Sequence, residues 1–376
     1  MKKFKAEFTL KQHTPIIHFQ SNQRGATLRA TELKPKFDRF LLENVKGIPY
    51  IENANKSKSL DYKVKIEQNF SQAQEINSRE SLYFGNMGDG EEKKFKTYPR
   101  PFTIEFFSYN REVLEAIKSN FEAFLANTNF GTRQSKGYGG FYIDGKSFDT
   151  KLIAHKIYSF SSNNWEKDIK VLYPFLRQGI NRVNHNGDTV FYSKPAIFSY
   201  AKSKGWEWDK KAIKQEYFSN QLQKQIKDYK PSDILEYSSE NQYLLRDLFG
   251  LSSSQEWGKP YYTTIEKEGT KIENINGKNE IVVQRFRSPI TFKIVNNRVC
   301  FWANDTVNSV LGEDFSIKDG RGDESLHLSF PTEFSFEDFF TFAFNIDLSI
   351  HIQPKYHNQS EYTILTKILN ELKSLK

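Results

Sequence analysis

Phe130-Gly131-Thr132-Arg133-Gln134-Ser135-Lys136-Gly137-Tyr138-Gly139-Gly140-Phe141-Tyr142-Ile143 lies between a segment of helical spacing and a segment of strand alternation. Glycines let a chain turn sharply and bring backbone N–H groups close to a guest, and Arg133 and Lys136 add positive charge there. Upstream, Asn110 stands as an N-cap before Val113, Leu114, Ile117, Phe121, Phe124 and Leu125, one face of an amphipathic helix. Downstream, Phe141–Ile143 reads as a strand. Further back, Phe102–Phe107 and residues 61–66 alternate as strands, and residues 3–8 alternate as a first one. Residues 31–43 read as a helix with Thr31 as N-cap, Pro35 in its first turn and Gly47 ending it. From residue 3 to 143 the order is therefore β-α-β-β-α-β, the ferredoxin-like or RRM-like arrangement, with the glycine stretch between the second helix and the last strand. The polar segment 69–99, with Gly85, Gly88, Gly90 and a Glu91-Glu92-Lys93-Lys94 run, reads as a long exposed loop.

The 376 residues exceed one ordinary core, so two domains are expected, residues 1–150 and 151–376. The second repeats the pattern less regularly. A strand is expected over 151–160, a helix over 165–178 ended by Gly179, then a polar helical insertion at about 180–255 with a basic helix over 209–228. Strands follow over 281–286, Ile290–Val295 and 299–302, with a hairpin turn at Asn296-Asn297. Phe336–Phe344 reads as a short helix, residues 347–352 alternate as a strand, and residues 360–375 form a last helix. The fold class expected is α+β, two ferredoxin-like units in tandem with a helical insertion in the second.

Lys and Arg number 54 against 46 Asp and Glu, a net charge of +8 that leans mildly towards an anionic partner. The lone Cys300 rules out an internal disulfide framework and a thiolate zinc site. No apolar leader and no run of about 18 apolar residues is present, so a cytoplasmic protein without a membrane span is expected.

The glycine stretch is not a P-loop, because G-x-x-x-x-G-K-[ST] is absent and the helix precedes the loop. Nor is it a Rossmann fingerprint, since no helix opens after it. A glycine-rich hairpin without a ligand is the alternative to a phosphate grip.

The run Gly131-x-Arg133-x-Ser135-Lys136-Gly137-Tyr138-Gly139 resembles the G-x-[RK]-x-S-[RK]-G-[FY]-G loop of the RAMP superfamily, the CRISPR-associated RNA-binding proteins. Residues Leu28-Arg29-Ala30-Thr31-Glu32-Leu33-Lys34-Pro35-Lys36-Phe37-Asp38-Arg39-Phe40 are similar to the lead-in to the first helix in the double RAMP subunits of Cmr-type, type III-B complexes. Pro35 replaces that pattern's glycine, and Asp38 stands where an arginine is usual. Residues Arg285-Phe286-Arg287-Ser288-Pro289-Ile290 are similar to an R-x-x-S-P-[IL] segment of the second half. The resemblance implies binding of CRISPR guide RNA by its backbone, contact with target RNA, association with other type III effector subunits and capping of a target-binding filament in antiviral defence. The residues implied in RNA binding are Gly131, Arg133, Ser135, Lys136, Gly137, Tyr138 and Gly139, joined by Arg24, Arg29, Thr31, Lys34 and Lys36 at the first helix. Tyr138 can either stack on a base or pack inward.

No catalytic residue, metal ligand or cofactor motif is assigned. His13 and His18 flank Pro15 without one-face spacing, and His351 and His357 miss the i, i+4 spacing of paired ligands. Asp89 and Glu91 lie in the 69–99 loop without an assignable role. The alternatives are a metal-independent RAMP endoribonuclease that processes repeat RNA, and a protein–protein scaffold. The endoribonuclease is disfavoured because such enzymes carry their diagnostic loop near the C-terminus.

Overall fold

Alternation runs from Lys5 to Gln12, longer than residues 3–8, and makes strand β1 (Lys5–Gln12), with Ala6, Leu10 and Gln12 buried on one face. The computed structural model describes residues 4–17, 27–54, 56–67, 74–76, 95–210, 212–214, 216–218, 241–257, 263–269, 271–273, 279–281, 286–320 and 326–374. The chain divides into two compact units, Met1–Ile169 with Thr291–Trp302, and Lys170–Ile290 with Ala303–Lys376.

In the first unit β1 is followed by α1 (Ala30–Asn44), β2 (Lys63–Glu67), β3 (Phe102–Phe107), α2 (Arg111–Asn127) and β4 (Phe141–Ile143). The strands form one sheet in the order β2-β3-β1-β4, every neighbouring pair antiparallel. Ala6 faces Phe106 and Leu10 faces both Phe102 and Ile143, so the apolar side chains of three strands meet on one face. Phe37 of α1 stacks on Phe124 of α2 at 4.6 Å, and Phe106 meets Phe121 edge-on at 4.9 Å. All four rings are buried, each worth about 1.5–3 kcal/mol as an upper estimate. Asn110 caps α2 through its side-chain oxygen, which accepts the N–H groups of Glu112 and Val113.

Helix α1 starts one residue earlier than expected. Arg29, extended at φ −113°, holds the cap position and its side chain makes no capping hydrogen bond, and Thr31 lies inside the helix. Pro35 therefore falls in the second turn, where it has no N–H to offer the Thr31 carbonyl. The segment expected as a 69–99 loop is strand at its described ends. Gln74–Ile76 pairs with Phe95–Thr97, which pairs with Ile16–Ile17. Asp89 and Glu91 lie outside the described residues.

The same unit holds a three-stranded sheet. Strand β5 (Tyr158–Ser161) precedes α3 (Trp165–Arg177), and β6 (Ile290–Val295) and β7 (Arg298–Ala303) complete the order β5-β7-β6. Asn296 takes φ +52° in the turn between β6 and β7. The division at residue 150 thus differs from the structure, which keeps 151–169 and 291–302 with the first unit. The reason is hydrogen bonding. The Phe292 N–H donates to the Ser135 carbonyl at 3.1 Å, and buried Lys293 donates to the carbonyls of Leu125 and Thr128 at 2.6 and 2.9 Å.

The second unit contains a six-stranded sheet that the sequence reading did not anticipate. Its order is Glu207–Trp208, Gln242–Tyr243, Leu326–Ser329, Asp314–Asp319, Thr263–Gly269, Ser254–Trp257. The expected helical insertion at 180–255 is mixed instead. Ile180–Val183 and Thr189–Ser193 form a hairpin that turns through Gly187 at φ +88°, and a short helix follows at Ala196–Ser203. Turn-forming Asn184, Asn186, Gly187 and Asp188 between β-branched residues is the hairpin signal there. The basic helix is present at the described positions of 209–218, and its remainder lies outside them. Residues 347–352 are one helical turn, Leu348–His351, because the Asp347 carboxylate accepts the Ser349 N–H at 2.9 Å. Helix Phe336–Phe344 has the expected bounds, and the last helix, expected over 360–375, runs Ser360–Lys373 with Ser374 as its C-cap.

Candidate nucleic-acid interface

The glycine stretch follows the C-terminus of α2, and its shape comes from four left-handed residues: Gly131 (φ +78°), Arg133 (+56°), Gly137 (+89°) and Gly139 (+70°). Three of its glycines are there for space. A Cβ on Gly139 would lie 1.8 Å from the Phe130 carbonyl oxygen, one on Gly140 2.5 Å from the His13 ring, and one on Gly137 3.1 Å from Ile294. The stretch closes on itself where the Phe130 N–H donates to the Gly139 carbonyl at 2.9 Å. The Gly139 N–H donates to Pro15 O and the Gly140 N–H to Thr14 Oγ1, each at 2.8 Å.

These bonds change the reading of the stretch as a row of exposed N–H groups. The donors of Gly131, Lys136, Gly139 and Gly140 are spent inside the protein, since Gly131 donates to Glu32 Oε1 at 2.8 Å and Lys136 to the Arg133 carbonyl at 2.8 Å. What faces outward is the turn from Thr132 to Ser135, with the half-buried Arg133 within it. Arg133 holds a left-handed conformation at a cost of about 1–2 kcal/mol, and such strain persists where surrounding contacts over-determine it.

Two residues named for RNA contact lie inward. Tyr138 is completely buried; its hydroxyl donates to Glu166 Oε1 at 2.8 Å and its ring meets Trp165 edge-on at 4.9 Å. A ring so placed has no face to offer a base. Lys136 is only 8% exposed, with its Nζ 5.8 Å from the Phe292 ring centroid. Burial beside an aromatic ring keeps that ammonium from an external phosphate.

The cations of α1 brace the loop from below. Lys36 Nζ donates to Glu32 Oε1 and Gln134 Oε1 at 2.7 Å each, and to the Asn129 carbonyl at 3.2 Å. Lys34 Nζ donates to Asp38 and to the Leu60 carbonyl at 2.7 and 2.8 Å, over the Tyr62 ring. Asp38, which departs from the family pattern, thus serves as the partner of Lys34. Arg29 is half-buried at the start of α1 and Thr31 is exposed beside it; Arg24 and His18 lie outside the described residues.

Glu32 and Asn129 do the positioning, and neither was singled out from the sequence. Buried Asn129 donates through Nδ2 to the carbonyls of Gln134 at 2.7 Å and Phe292 at 2.9 Å. Its signal was present as a lone amide between the helix end and Phe130. Glu32 stood inside the quoted helix lead-in, yet nothing local paired it with a glycine so far along the chain.

The remaining histidines of interest have structural partners. His351 Nε2 lies 2.9 Å from the Lys194 carbonyl, and burial lowers its pKa. His357 Nε2 lies 2.9 Å from the Ile352 carbonyl and its ring stacks on Tyr362. Among the described residues no group of three or more His, Cys, Asp or Glu is placed to hold a metal ion, and no helix is long and apolar enough to cross a membrane.

Residues 3–184 match the family model described as the Cmr1 N-terminal domain, and residues 192–374 match that of the Cmr1 C-terminal domain. No curated protein matches the chain.

Proposed function

The chain belongs to the Cmr1 family of type III-B CRISPR effector subunits, and on that premise we propose that it holds guide RNA by its backbone and caps the target-binding filament. In this reading the two halves are ferredoxin-like RAMP units. The antiparallel order β2-β3-β1-β4 with two helices supports that assignment for the first. The antiparallel three-stranded order β5-β7-β6, with α3 following β5 in the chain, supports a partial second copy.

The observation that carries the proposal is the turn from Thr132 to Ser135. It is anchored by Glu32, Lys36 and Asn129 and holds Arg133 left-handed. A rigid turn with a guanidinium suits sequence-tolerant grip, because phosphate contacts set position without reading bases. Arg29 and Thr31 at the start of α1, with Arg24 ahead of them, extend the contact. Gly131, Ser135, Gly137 and Gly139 support it through backbone shape. Lys34, Lys36, Lys136 and Tyr138 act from beneath. The partners are guide RNA, target RNA and neighbouring effector subunits, in a cytoplasmic complex of antiviral defence, with no catalytic step, metal or cofactor assigned to this chain.

The test is Arg133→Ala with single-stranded RNA across a salt series. Loss of one phosphate contact lowers the slope of log K against log salt by about 0.7. An unchanged affinity and slope would remove the turn from the interface.

A further inference from the structure

Beside the glycine stretch, within the first unit, lies a cavity of about 440 Å³. Its walls include His13, Tyr142, Lys146, Phe148, Lys293 and Asn296. That volume falls in the range of small-molecule pockets. We infer that it receives one unstacked nucleobase of the single-stranded RNA, an inference that rests on the RNA-binding reading above.

Three observations point to a base over a phosphate. Both cations of the cavity are already engaged: Lys293 donates to the Leu125 and Thr128 carbonyls, and Lys146 pairs with Glu122. Burial brings the Lys293 pKa down to about 7, so much of its charge is absent at neutral pH. The carboxylates of Glu122 and Asp149 also line the space and oppose an anion. A neutral guest is what remains.

The rings that line the space suit a planar heterocycle. Both ring nitrogens of His13 are shut off from solvent and make no hydrogen bond of ordinary geometry, although the Ile294 backbone approaches. Burial, with Lys293 nearby, holds the His13 pKa well below its usual value, so the ring is neutral. A neutral imidazole puts no charge on this wall, so the His13 ring adds a flat, uncharged surface beside Tyr142. Its ring lies 5.1 Å from that of Tyr142, tilted by 42°, and Tyr142 and Phe148 supply aromatic walls. Such surfaces take any base by its π-face. Gly140 links cavity and loop, since only a residue without Cβ leaves room for the His13 ring.

The experiment uses the intact chain with isotope-labelled histidine. Adenosine, guanosine, cytidine and uridine are titrated separately, with ribose phosphate as the control. The His13 signal is identified by its loss in His13→Gln. At least one nucleoside is expected to shift that signal saturably at millimolar concentration, ribose phosphate is not, and Tyr142→Ala weakens the effect about tenfold. No shift with any nucleoside, or a shift with ribose phosphate alone, overturns the base site, whatever the variant does. A parallel arm cross-links thiouridine-containing RNA and maps the adduct, expected at or beside Tyr142. A nucleoside shift without RNA binding sinks the RNA-binding reading and leaves the cavity as a base site. RNA binding without a nucleoside shift sinks the cavity alone.

Discussion

The Glu32 carboxylate accepts the Gly131 N–H at 2.8 Å, joining α1 to the glycine stretch across 99 residues of chain. The same oxygen accepts Lys36 Nζ at 2.7 Å, with both side chains about one-quarter exposed. Glu32→Ala removes the acceptor of two donors, and partial exposure limits the loss to about 1–2 kcal/mol. Urea denaturation measures it. A midpoint unmoved by the substitution would show that the loop is held by other contacts.

Gly139→Ala and Gly145→Ala form a matched pair. Both glycines are left-handed, at φ +70° and +78°, but only at Gly139 does a Cβ meet an obstacle, the Phe130 carbonyl oxygen. Gly145→Ala should cost about 1 kcal/mol from backbone conformation alone. Gly139→Ala should cost at least about 2 kcal/mol more, because backbone must move. Equal losses in thermal denaturation would mean that the stretch is not packed as described.

Tyr138→Phe deletes the hydroxyl that donates to Glu166 and leaves the ring against Trp165. Stability should fall by about 1–2 kcal/mol while RNA affinity stays within about twofold. A large loss of affinity in a stably folded variant would instead put the Tyr138 hydroxyl on RNA.

Lys293 sets a pH dependence. Its folded pKa, about 7, lies below the usual lysine value because burial penalises the ammonium. Between about 7 and 10 the unfolded chain binds the extra proton, so stability rises with pH across that window and is lost as pH falls through 7. His13, also depressed by burial, shifts the same way on the acid side of its usual value. Lys293→Met should flatten the alkaline rise relative to the parent, read as the difference between two urea series. Parallel curves would contradict the buried amine.

Local pattern determined much of this protein. The apolar spacing of α2, the Asn110 cap, the alternation of Phe102–Phe107 and the order β-α-β-β-α-β of the first unit's main elements were legible in the sequence, because each rests on neighbours within a turn or a strand. So was the resemblance to the family whose models match the chain. The unanticipated sheet of the second unit shows the limit of this. Lys267 lies at an inward position of Thr263–Gly269 and pairs with buried Asp247, so a charge interrupts the expected apolar alternation. Only the tertiary structure could supply that partner. It likewise decided that Tyr138 and Lys136 face inward, and that the glycines relieve crowding from Phe130, His13 and Ile294. A residue's type sets what it can bond to; which partner stands within 3 Å depends on chain distant in sequence, and that is a property of packing.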